Sequence, residues 1–123
     1  MKVEGRRNSY RDLIVWQKAM ALTKQVYLLT KSFPRDEIYG LTSQIRRCAV
    51  SIPSNIAEGR GRNSDKEFIR FLNIALGSLY ELQTQLELAL SFNYLSDYKN
   101  LNDLSIEVEK MLNSLINSKK TKV

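Results

Sequence analysis

Apolar residues along the chain recur at helical spacing in four stretches, and no stretch sustains the alternation of a strand. In the first, Val15, Ala19, Leu22, Val26, Leu29 and Phe33 fall four and three residues apart, with Trp16, Met20 and Tyr27 widening the stripe. That predicts a helix over 12–32, started by Asp12 or Ser9. Phe33-Pro34 should stop it, because the residue before a proline avoids the α region. A second helix is expected to carry Pro34 in its first turn, where a missing donor costs nothing. Asp36 and Glu37 would then sit near the positive end of its dipole. Its seam is Ile38, Leu41, Ile45, Cys48, Ala49, Ile52 and Ile56, and Gly59 is its natural stop.

Ser64-Asp65-Lys66-Glu67 has the form of a capping box, with Ser64 and Glu67 each satisfying a free backbone donor. A third helix runs from there to about Phe92 along Phe68, Leu72, Ala75, Leu79, Leu82, Leu86 and Ala89. Ile69, Phe71, Ile74, Leu76, Leu88 and Leu90 point in other directions. A helix apolar on most sides is buried on most sides, so another subunit is expected to cover it. After the turn Phe92-Asn93-Tyr94, Ser96 should cap a fourth helix lined by Leu101, Leu104, Val108, Leu112 (or Met111) and Leu115, fading at Ser118. The expected fold is all-α: an antiparallel up-down-up-down four-helix bundle, kinked at Pro53, that gathers as a homo-oligomer. The bundle should occupy 12–118, between a basic arm at 1–11 and a basic tail at 119–123.

Composition narrows the chemistry. The chain has 123 residues, enough for one domain, with 43% hydrophobic and 26% charged residues. It has no histidine, which removes the commonest general base and metal ligand, so catalysis and a metal site are not expected. Carboxylates or a lysine would have to serve, and no spaced acid pair supports an enzyme. Cys48 is the single cysteine, which excludes an internal disulfide and suits a reducing compartment. No apolar run approaches the roughly 18 residues of a membrane span, and residues 1–12 lack the apolar core of a secretory signal. The expected location is the cytoplasm.

The net charge of +6 is unevenly spread. Lys2, Arg6, Arg7 and Arg11 face only Glu4 in residues 1–11, and Lys110, Lys119, Lys120 and Lys122 face no acid in 110–123. Between them, Arg46, Arg47, Arg60, Arg62, Lys66 and Arg70 stand against Glu58, Asp65 and Glu67. Residues 71–109 have Lys99 alone against six acids. In an up-down bundle the arm, the 59–64 turn and the tail fall at one end, and Asp36, Glu37, Glu87, Asp97 and Asp103 at the other. Such segregation fits a polyanion partner.

The six cations of 46–70 form a candidate nucleic-acid surface, since the guanidinium fork matches phosphate. A solvated face with intersubunit bridges to Glu58, Glu67 or Glu81 explains them equally well. Arg47 shares a small, semi-polar helix face with Ser43, Val50 and Ser54, open to close approach by another helix. Pro53 costs a helix about 3 kcal/mol and frees the carbonyl of Ala49, for a nearby serine or the Asn55 amide to satisfy. Gly59-Arg60-Gly61-Arg62 lacks the strand and lysine of a nucleotide loop and reads as a helix-ending turn. Cys48 lies on a core seam. Ala75, Gly77 and Ser78 permit close helix packing.

Several strings together resemble one bacterial family. They are Leu13-Ile-Val-Trp-Gln-Lys-Ala19, Phe33-Pro34 with Tyr39-Gly-Leu41, Gln44-Ile-Arg-Arg47, Ser51-Ile-Pro-Ser-Asn-Ile-Ala-Glu-Gly59 and Gly77-Ser-Leu-Tyr-Glu-Leu82. In this order, over most of 10–95, they are similar to the 23S ribosomal RNA intervening-sequence proteins. The resemblance implies an antiparallel four-helix bundle assembling as a ring of five. It implies no enzymatic activity and no cofactor. Some members are encoded inside inserted segments of ribosomal RNA genes, and relatives serve diversity-generating retroelements, binding reverse transcriptase and nucleic acid through a basic surface. Arg46 and Arg47, with Arg60 and Arg62 near the turn, match the family's basic motif. Two functions follow as expectations. One is an oligomeric bundle that binds structured RNA through phosphate contacts. The other is an interaction scaffold or accessory subunit whose arginines serve subunit pairing.

Overall fold

A computed structural model describes residues 9–120. Within them the chain forms four helices and no strand: α1 (Ile14–Thr30), α2 (Leu41–Arg60), α3 (Asp65–Ser91) and α4 (Lys99–Lys120). Most of the 1–11 arm and residues 121–123 lie outside the described part, so the arm and the end of the tail stay expectations. Each helix buries most of the stripe that its spacing predicts, although in α4 Ser105 and Ile116 are buried where Leu104 and Leu115 are expected, and these two leucines are only half-buried. Val15, Ala19, Leu22 and Val26 of α1 meet Ile45, Ala49, Ile52 and Ile56 of α2 in one core. Leu72, Leu79, Leu82 and Leu86 of α3 join Leu101, Val108, Leu112 and Ile116 of α4 in the same core.

Neighbouring helices meet in reversed chain order. Gly59 approaches Phe68 and Phe71, Ser51 meets Ser78, and Gln85 reaches Gln44. Thr23 meets Ala49, and Thr30 meets Arg46. Lys18 pairs with Glu107 at 3.3 Å, which ties α1 to α4. The start of α1, the end of α2, the start of α3 and the end of α4 thus share one end of the molecule.

The structure departs from expectation at helix boundaries. Tyr10–Asp12 is a separate 3-10 turn, with Ser9 accepting from the Arg11 amide, and α1 begins only at Ile14. α2 does not start at Pro34. Arg35–Glu37 forms a 3-10 turn and α2 opens at Leu41. Ile38 consequently leaves the seam and is 56% exposed. The cause is Glu37. One carboxylate oxygen accepts from the Leu41 amide at 3.0 Å, capping α2, and the other accepts from the Tyr94 hydroxyl at 2.7 Å. Residues 35–40 are thereby strapped to the α3–α4 turn. That turn closes on Asn93, whose φ of 64° lies in the left-handed region. The Tyr94 amide reaches back to the Ala89 carbonyl at 2.9 Å in a Schellman closure.

Gly59 is not the stop of α2, which runs on to Arg60 with Gly61 at its cap. A Cβ on Gly59 would collide with Cβ of Phe71, so the glycine serves the contact with α3. The capping box forms on one side. Ser64 accepts from the Glu67 amide at 3.1 Å, while the Glu67 carboxylate turns to Arg70. Asp97, rather than Ser96, accepts from the first amide of α4. α4 runs two residues past its expected end, so Lys119 and Lys120 are helical.

Pro53 lies inside an unbroken α2, buried. The carbonyl of Ala49 is met neither by a serine nor by Asn55. The Thr23 hydroxyl of α1 lies 3.0 Å from it and 2.9 Å from the Ala19 carbonyl, sharing one proton between them. Asn55 instead donates to Ser51, at 2.8 Å to its carbonyl and 3.0 Å to its hydroxyl.

Candidate nucleic-acid interface

The six candidate cations do not form one cluster. Arg46 lies fourteen residues before Arg60, and Arg47 fifteen before Arg62. At 1.5 Å per residue, Arg46 and Arg60 are separated by about 21 Å along α2. Arg46 is held within the subunit. Its Nε donates to Thr30 Oγ1 at 2.8 Å, a second nitrogen reaches the Tyr27 carbonyl at 3.4 Å, and the guanidinium stands 4.6 Å over the Tyr27 ring. It is a tie between α1 and α2. Arg47 is exposed, beside half-buried Ser43 and exposed Ser54 and Val50.

The other four belong to the shared end. Arg62 pairs with Glu58 at 2.9 Å and lies 4.9 Å over Phe71. Arg70 pairs with Glu67 at 3.3 Å and lies 4.5 Å over the same ring. Two guanidiniums thus converge on one buried phenyl group, which the absent side chain of Gly59 lets into place. Both ion pairs are largely solvent-exposed, and such pairs contribute only about 0.2–1 kcal/mol each. Lys66 is exposed, and Arg60 borders a cleft of about 200 Å³ with Arg62, Asn63, Ser64, Asp65 and Phe68.

From the sequence, Lys119 is expected in a basic tail, outside the set of candidate cations. It belongs to this cleft. Because α4 continues to Lys120, the Lys119 ammonium is brought 6.0 Å over the Phe68 ring. The signal available was the four-and-three spacing of Val108, Leu112, Leu115 and Lys119, which keeps Lys119 near the core-facing stripe.

Cys48 is a core residue. Burial, followed by the nearby Glu81 charge, pushes its thiol up to about 11, so it stays protonated at neutral pH. Among the described residues no group of three His, Cys, Asp or Glu side chains could hold a metal ion. The larger open clefts lie elsewhere. One of about 480 Å³ lies between Gln25, Leu28 and Leu29 of α1 and the start of α4, where Lys99 is paired with Asp103. No helix among the described residues is long and apolar enough to cross a membrane.

Four helices around one core, with cations from three of them at a shared end, define an all-α protein with a charged end. The chain belongs to the 23S rRNA-intervening sequence protein family, whose model matches residues 11–114. It is similar in structure to a protein with unknown function from the S23 ribosomal protein family of Bacteroides thetaiotaomicron VPI-5482. The two are 31% identical over 84% of this chain and 98% of the other, with a TM-score of 0.77. No curated protein matches the chain.

Proposed function

We propose that this protein is a non-enzymatic, cytoplasmic bundle of up-down-up-down topology, bent at Pro53, that binds nucleic acid, RNA foremost, through its cationic end. Copies gather as a ring, a homopentamer, which pools those ends. The observation that carries the reading is the meeting of Arg60, Arg62, Lys66 and Lys119 at one end, with only weak surface pairs to compete with phosphate. The family's ribosomal RNA name agrees with it. Phosphate contacts give affinity and register rather than sequence choice.

The test is RNA affinity across a salt series. Each phosphate contact contributes a slope of about −0.7 for a single strand and about −0.9 for a duplex. Replacing Arg60 and Arg62 with Ala should flatten the slope by roughly 1.4 to 1.8. An unchanged slope overturns the role assigned to them.

A second reading has its own observation. Arg47 stands exposed on a face of small residues, and nothing in the subunit lies within 4 Å of where a Gly77 side chain would be. In this reading the arginines serve subunit pairing and the protein is a scaffold or accessory subunit for a protein such as a reverse transcriptase.

A further inference from the structure

The geometry points to a recess at the cationic end that takes a terminal phosphate monoester of a nucleic-acid strand, an inference that rests on the nucleic-acid role proposed above. Arg60 and Arg62, where α2 ends, and Lys119, in the last turn of α4, line one cleft of about 200 Å³ together with buried Phe68. Only the fold brings them together, since 57 residues separate Arg62 from Lys119. Both sides are set before a ligand arrives. Lys119 stands 6.0 Å over the Phe68 ring, and Arg62 is held at 2.9 Å by Glu58 and at 4.9 Å over Phe71. Preset donors reduce the ordering cost of binding.

The shape selects between kinds of phosphate. An internal phosphodiester has one charge and two free oxygens, and its strand must leave the recess on both sides. A terminal monoester has about −1.5 to −2 charges near pH 7 and three acceptor oxygens, and it enters from one side. Three cationic donors around a small recess match the second. Asp65 lines the same recess and opposes an anion there, so it sets an upper limit on affinity.

The experiment uses the full chain and one short single-stranded RNA in three forms: 5′-phosphorylated, 3′-phosphorylated and with hydroxyls at both ends. Fluorescence anisotropy at physiological salt should show one phosphorylated form bound roughly tenfold more tightly than the hydroxyl form. Lys119→Gln should bring the forms near parity, and Asp65→Asn should widen the gap. Millimolar inorganic phosphate should weaken the phosphorylated form more than the hydroxyl form and so narrow the preference. Equal binding of all three forms overturns the recess. If their steep salt dependence survives, the nucleic-acid role stands without it. A preference untouched by Lys119→Gln overturns the assignment to this cleft, and absence of binding to any form overturns both readings.

Discussion

Gly59 sits where two helices come closest, and its missing side chain is the condition for that contact. An added Cβ would meet Phe71 Cβ and come within 3.1 Å of the Phe68 ring, and Phe71 Cβ, fixed to its backbone, cannot swing away. Gly59→Ala should therefore destabilise the protein by about 1–3 kcal/mol, the usual cost of overpacking. Urea denaturation would show it as a lower midpoint at constant slope. The same residue explains a misread pattern. A glycine followed by a cationic turn looks like a helix end, and helix α2 does end one residue later, at Arg60. What the chain cannot display is that the space beside Gly59 is already occupied by a residue of another helix.

Among the elements, the core seams were legible because helical period alone decides which residues face inward. Leu22, Ile45, Ile52, Leu72, Leu79 and Leu112 are all completely covered. The 35–40 segment was not legible. Pro34, Asp36 and Glu37 satisfy every local rule for a helix start, yet Glu37 has a partner 57 residues away in Tyr94. The satisfied carbonyl at Pro53 was missed likewise, since Thr23 lies on the neighbouring helix.

The strap carries a pH dependence. The Tyr94 hydroxyl, followed by the Leu41 amide, holds the Glu37 carboxyl below its usual value of 4.5. A carboxyl lowered by folding stabilises the protein above that usual value, and the gain is lost as pH falls through the lowered titration. The Tyr94 phenol is raised, chiefly by the same bond, so its contribution is present below about 10 and fades as pH climbs above it. Glu37→Gln should remove the acid-side dependence. Thermal denaturation between pH 3 and 7 should show the native protein's advantage over the variant shrinking towards pH 3.

At the scale of the whole molecule, the charge segregation read from the chain needed the fold to become a site. Arg46 and Arg47 lie in the same sequence run as Arg60 and Arg62, yet helical rise carries them towards the other end. Lys119 is distant in sequence and adjacent in space. The surplus apolar surface of α3 divides as well. Phe71, Ile69 and Leu76 find cover within the subunit, whereas Ile74, Tyr80, Leu88 and Leu90 stay 40–44% exposed. Exposed Arg47 and open Gly77 are the residues that the proposed pairing of copies would use. Arg47→Ala should lower the molar mass measured by light scattering at micromolar concentration. Circular dichroism should stay helical. A mass unchanged by the substitution would remove Arg47 from the pairing.

The placement of Ser9 and Lys120 at the same end has a practical result for anyone who wishes to tether the protein. A handle joined directly after Lys120 would begin one residue from Lys119 of the cationic recess and compete with whatever enters it. Tyr39, 96% exposed at the far end, is the better anchor for a fluorophore or a sensor chip. A dye placed there by way of Tyr39→Cys would hold the bundle with its charged end facing the solution.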